Sequence, residues 1–149
     1  MSVTTLYFNE IEIADGALAV MDGGTHGVQG HTVVINAGGR ATWERRLEGL
    51  RPQGSPGSGS FVLGNDERAL QRTWSNTVWD MAGPSGRARF FGDISEGPPR
   101  RVWAVVLRRG DEVRVVEGGK AFSPHSPEPL QPLLAWLVRR VDELAQQSP

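Results

Sequence analysis

Cysteine is absent from the chain, which excludes a disulfide framework, a thiol nucleophile and thiolate metal sites, and makes the cytoplasm the expected compartment. Lysine is almost absent: Lys120 is the single one among sixteen basic side chains, an arginine bias that fits a GC-rich bacterial gene. An excess of either charge is lacking, because seventeen acidic residues balance the sixteen basic ones to a formal net charge of −1. No global field therefore steers the protein toward nucleic acid or an anionic membrane. Long apolar runs are missing too, and Met1 to Thr5 carries no basic side chain ahead of an apolar stretch, so neither a signal peptide nor a membrane span is expected. Histidine is scarce, with only His26, His31 and His125 to serve as metal ligands or general bases.

What is present suffices for a core. With 149 residues, 38% hydrophobic and 22% charged, the chain is expected to form a single domain over 1–149 that needs no staple. From Leu6 to Met21, alternation around Ile11 and Ile13, then Asp15-Gly16 and Ala17-Leu18-Ala19-Val20, predicts a hairpin or two short strands. Asp22 to His31 is rich in glycine and is predicted as a loop. The β-branched Thr32-Val33-Val34-Ile35, the turn chemistry of Asn36-Ala37-Gly38-Gly39 and the alternating Arg40 to Arg45 predict a second hairpin. The Gly/Ser/Pro stretch at 49–60 has almost nothing to bury and is expected to be a flexible surface loop.

Asn65 as an N-cap, Asp66 and Glu67 at the positive end of the dipole, and Leu70, Trp74, Val78 and Met81 near one face predict a helix stopped by Gly83-Pro84. Residues 84–100 are expected to be a loop enclosing Arg87-Ala88-Arg89-Phe90-Phe91. The run Val102 to Leu107 is too continuous for a strand with one wet face and is placed centrally in a sheet. Gly110-Asp111 turns the chain and Glu112 to Val116 returns beside it. After Ser126-Pro127, Leu130, Leu133, Leu134, Leu137, Val141 and Leu144 form the apolar stripe of a helix over Glu128 to Ala145. The expected fold is α+β: a mainly antiparallel sheet with two helices on one face, built as two strand-strand-helix units.

Few residues offer chemistry. Asp22, His26 and His31 are the set that would hold zinc or a similar ion, but their spacing matches no ligand pattern, and no metal or other cofactor is expected. The glycines around them are followed by a strand and lack the lysine and helix N-terminus of a phosphate loop. His125 lies between Ser123 and Ser126, which read better as turn and cap residues than as nucleophiles, and no G-x-S-x-G elbow exists. Asp93 and Glu96 offer carboxylates that sequence cannot place across a cleft. An enzyme is therefore not expected. Arg109-Gly110-Asp111 spells an adhesion tripeptide, but the turn role of Gly110-Asp111 outweighs it. Arg87 to Phe91 would suit base stacking, yet pinning a long loop to the core is the stronger reading. Trp74 and Trp103 fall at core positions, whereas Trp79 and Trp136 fall off their helices' stripes and become partner anchors wherever they are exposed.

The order of elements, with a Gly-Gly loop, the Trp103 to Val116 hairpin, and Ser126-Pro127-Glu128-Pro129-Leu130 entering a Leu-rich helix, resembles emfourin-type bacterial protease inhibitors. The resemblance covers layout and a few turn residues, and the 49–60 stretch departs from that compact plan. It implies a proteinaceous inhibitor that blocks a metalloprotease with exposed loops, and no inhibitory residue is carried over. The expected function is a non-enzymatic protein-interaction module, a protease inhibitor or an immunity or regulatory protein, acting through exposed Gly-rich loops. Gly24, Thr25, His26, Val28, Phe90, Phe91 and Trp136 are its candidate partner contacts. The partner is expected to be another protein rather than nucleic acid or membrane, and the chain a monomer or small homo-oligomer. The alternative is a metal- or small-molecule-binding protein using His26 and His31.

Overall fold

The computed structural model describes residues 5–8, 11–22, 29–47, 57–90, 103–119 and 128–147. The alternating start of the chain folds as a small hairpin, β1 (Leu6–Phe8) with β2 (Ile11–Ile13), its register set by Leu6 opposite Ile13. Asp15-Gly16 does not close a hairpin between β2 and the next strand. Gly16, at a φ of 80°, donates its N–H to the Arg108 carbonyl at 2.9 Å and steps the chain onto a separate seven-stranded sheet. That sheet comprises β3 (Leu18–Asp22), β4 (Gln29–Ile35), β5 (Arg40–Leu47), β6 (Gly57–Val62), β7 (Arg87–Phe90), β8 (Trp103–Arg109) and β9 (Glu112–Gly118). Its order is β6-β5-β4-β3-β8-β9-β7, antiparallel throughout except where β7 runs parallel to β9. Helix α1 (Asn65–Ala82) joins β6 to β7, the two edges, and a short 3-10 turn (Glu128–Leu130) leads into α2 (Gln131–Gln147). The fold is thus α+β, with a large, mostly antiparallel sheet.

β8 lies between β3 and β9 and is buried from Trp103 to Arg108, the environment that its unbroken apolar run requires. Alternation along the strands separates two clusters. Leu18, Val20, Val33, Ile35, Val105, Leu107 and Val116 join Trp74 and Val78 of α1 and Leu133, Leu134, Leu137 and Val141 of α2. The residues between them in sequence, Ala17, Ala19, Val106 and Val115, join Ile13 and lie against Phe8 and Ile11 of the small hairpin. Each fully buried Leu, Val or Ile contributes about 1.5–3 kcal/mol relative to exposure.

Several local readings change. Of the loop predicted over Asp22 to His31, Asp22 ends β3 and Gln29–His31 open β4, while 23–28 lie outside the described residues. The last four residues of the 49–60 stretch, Gly57–Ser60, belong to β6, while 49–56 lie outside the described residues. A strand of glycine and serine forms here because the apolar surface is supplied by β5. The Trp43 indole lies across β6, so that a Cβ at Gly57 would meet its Cη2 at 3.0 Å and one at Gly59 its Nε1 at 2.8 Å. Within 84–100, Arg87–Phe90 form β7 rather than a loop. In α1 the buried positions are Gln71, Trp74, Val78 and Ala82, and Leu70 is 42% exposed. The stripe is rotated because Gln71 takes a core slot, donating its amide to the Asn36 carbonyl at 3.0 Å. The N-cap of α1 is Gly64, whose N–H is met by the Glu67 side chain at 3.1 Å.

Candidate functional site

The strand register sorts the connections by end. Phe90, Gly118, Trp103, Asp22, His31, Arg45 and Gly57 form one row across the sheet from β7 to β6. Segments 23–28, 48–56, 91–102 and 119–127 all leave the strands at or just beyond this row. At the opposite end the hairpin connections are tight, 36–39 between β4 and β5 and 110–111 between β8 and β9. The topology therefore brings Asp22 and Phe90, far apart in sequence and each the last described residue before such a segment, to one end of one sheet.

The row carries the polar side chains that the core holds at this end. Asp22, His31 and Arg45 are 5%, 4% and 9% exposed on adjacent strands, on the side of the sheet to which Val20, Val33 and Trp43 point. Asp142 of α2 closes over them: its Oδ1 lies 2.9 Å from His31 Nε2 and 3.4 Å from Arg45 Nε. Asp142 thus ties the helix to β4 and β5 and brings a carboxylate to the buried Arg45 guanidinium. His31 Nδ1 is buried without a hydrogen-bond partner.

Of the metal set, Asp22 and His31 sit opposite one another in register, whereas His26 lies outside the described residues. Among the described residues no three His, Asp or Glu side chains converge to hold a metal ion. Gly24, Thr25, Val28 and Phe91 also fall outside them, as do Asp93, Glu96 and His125. Phe90 is half-buried in β7, stacked on Trp103 with ring centroids 6.5 Å apart, and its carbonyl accepts the Gly119 N–H, so it pins the chain to the core. Trp136 is not an exposed anchor: it is 5% exposed, packs on Trp74 at 5.4 Å and donates its indole N–H to Glu67 Oε2 at 2.9 Å. Its place off the Leu stripe is explained by α1, which gives α2 a second neighbour to face. Trp79 is half-buried between two guanidiniums, Arg114 at 3.8 Å and Arg109 at 4.7 Å from the ring centroid.

Several polar residues hold the scaffold, of which Arg108, Glu117 and Arg140 carried no signal in the sequence. Glu67 receives Trp136 and lies 3.4 Å from Arg140, joining the two helices. Glu117, 4% exposed, is approached by Arg87 at 3.2 Å and Arg89 at 3.4 Å from edge strand β7. Arg108, 6% exposed, donates to the Ile13 carbonyl at 2.7 Å and the Gly110 carbonyl at 2.6 Å, fastening the small hairpin to the sheet. Arg109-Gly110-Asp111 is the β8–β9 turn, with Gly110 at a φ of 62° and its N–H held by Asp15 at 2.7 Å. No described helix is long and apolar enough to cross a membrane. The class defined is an α+β protein with a seven-stranded mixed sheet. No protein-family model matches the chain, and no curated protein matches it.

Proposed function

We propose that the protein is a non-enzymatic protein-interaction module of bacterial origin, a protease inhibitor or an immunity or regulatory protein of the cytoplasm. Its partner meets the segments that leave the row from Phe90 to Gly57. The observation that supports this reading is that the strand ends flanking 23–28, 48–56 and 91–102, and the end of β9 before 119–127, lie at or near one row of the sheet. Binding residues concentrate on loops held by a rigid scaffold, and two packed helices with a seven-stranded sheet provide one. In this reading both helices cover one face, and the strand-strand-helix halves serve only as support. The emfourin-like variant of the proposal is inhibition of a metalloprotease by these segments. The test is a cross-linked pull-down from the native host with three proteins: the wild type, a variant with 23–28 and 91–102 replaced by Gly-Ser, and one with Gly110-Asp111 changed at the opposite end. A specific partner captured by the first and third but not the second supports the proposal; equal capture by all three refutes it.

One observation favours a second reading, a divalent-metal-binding protein. Asp142 on Nε2 of His31 orients the ring in the way a carboxylate orients a metal-ligating imidazole, leaving buried Nδ1 unpartnered on the row shared with Asp22. Elemental analysis of the purified protein tests it. Stoichiometric metal that is lost in His26→Ala/His31→Ala would make this reading the leading one.

A further inference from the structure

We propose that the outer edge of β6 is a self-association surface, at which a second copy of the chain adds its own β6 antiparallel and joins the two sheets into one. Among the described residues β6 pairs only with β5, so no strand meets the backbone donors and acceptors along its other side. Such edges are ordinarily protected by charge, proline or a bulge. The opposite edge is protected in this way. The Arg87 and Arg89 side chains on β7 share one carboxylate, that of the buried Glu117, and are 42% and 61% exposed, so self-pairing there would crowd four guanidiniums against two carboxylates. β6 has no such device: Gly57-Ser58-Gly59-Ser60-Phe61-Val62 contains no charge and no proline, and Val62, 67% exposed, is the most exposed large hydrophobic among the described residues.

The charge pattern therefore selects β6 as the edge that tolerates its own copy, and the strand is complementary to itself. With a two-fold axis through Ser60 normal to the sheet, Ser60 faces its own copy, Ser58 faces the partner's Val62, and Gly59 faces the partner's Phe61. Every facing pair then projects to the same side, as antiparallel pairing requires. This register withdraws Val62 from water and sets an aromatic ring against a residue with no side chain, beside the Trp43 indole that already lies over Gly59. The neighbouring register, centred on Gly59, sets Val62 against position 56, beyond the first residue of β6.

Sedimentation velocity over a concentration series tests self-association, and the absence of native cysteine allows a direct test of register. Wild type is expected to dimerise with rising concentration. Ser60→Lys, a change at an exposed position, is expected to stay monomeric with an unchanged far-UV circular dichroism spectrum. Ser60→Cys is expected to oxidise to a covalent dimer, and Ser58→Cys to do so at least about fivefold less, because only position 60 meets its own copy within disulfide reach. A wild type that is monomeric throughout, a dimeric Ser60→Lys, or equal cross-linking of the two cysteine variants overturns the proposal.

Discussion

Gly118→Ala isolates a steric cost at the end of the sheet where the connecting segments leave. Gly118 does not occupy the left-handed region, so alanine adopts its backbone conformation without strain and only the added methyl matters. That methyl would lie 2.5 Å from the Phe90 carbonyl oxygen and 2.5 Å from Trp103 Cζ2. Neither neighbour yields easily. Phe90 O belongs to the backbone of β7 and accepts the Gly119 N–H, and Trp103 is 1% exposed and stacked on the Phe90 ring. Overpacking costs about 1–3 kcal/mol, and the gain from a stiffer unfolded chain returns about 0.4–1 kcal/mol. A rigid double clash belongs at the upper end, so a net loss of about 2 kcal/mol is expected. For a chain of this length that corresponds to a fall in Tm of roughly 4–8 °C. Urea unfolding followed by tryptophan fluorescence measures the stability, and hydrogen exchange should show Arg87 to Phe90 losing protection first. Gly59→Ala supplies the comparison, since its methyl meets only the edge of the Trp43 ring on the outermost strand pair. A Gly118→Ala protein within about 0.5 kcal/mol of wild type, or more stable than Gly59→Ala, would refute the packing argument.

Arg108→Met keeps the stem but removes the donors to Ile13 and Gly110, and should cost about 1–3 kcal/mol, with hydrogen exchange at Leu6–Ile13 accelerating more than in β4 or β5. Asp142→Ala leaves His31 and Arg45 buried without their shared acceptor and should cost about 1–3 kcal/mol by chemical denaturation, loosening α2 before the sheet. Trp136→Phe deletes the indole donor to Glu67 and should cost about 1–2 kcal/mol; in a double-mutant cycle with Glu67→Gln the two effects should couple by about 1 kcal/mol, and strict additivity would count against the helix-to-helix contact.

The second half of the chain was legible because its elements have a single strong cause each. Val102 to Leu107 reads as continuous apolar sequence since β8 is covered on both faces, and α2 carries an apolar stripe of three to four residue spacing since it buries one long side. β6 was not legible, because its stability comes from Trp43 on another strand and its own glycines report only space. β7 was missed for a related reason: four alternating residues gain a partner only in β9, about thirty positions on. The site was legible in part. Asp22 and His31 were singled out together, but Asp142 lies 111 residues from His31 and reads as an ordinary polar helix residue until the helix is docked. The alternation of Arg40 to Arg45 puts Arg45 on the side of Trp43, but that this face is buried there shows only in the structure.

The two ends of the sheet are stabilised by different means, and the difference bears on function. At the tight end the connections are closed by the backbone and by short side chains. Asn36 Oδ1 accepts the Gly38 and Arg40 N–H groups, Asp15 accepts that of Gly110, and Gly16 donates to Arg108. Changing those connections would disturb the strand registers they set. At the other end the row is held from beneath, by Phe90 stacked on Trp103 and by Asp142 bridging His31 and Arg45. The registers there are held by contacts among residues of the row and α2, all within the described residues. If the proposed function holds, replacing 23–28 and 91–102 abolishes partner capture while leaving the unfolding midpoint close to that of the wild type, because these contacts remain.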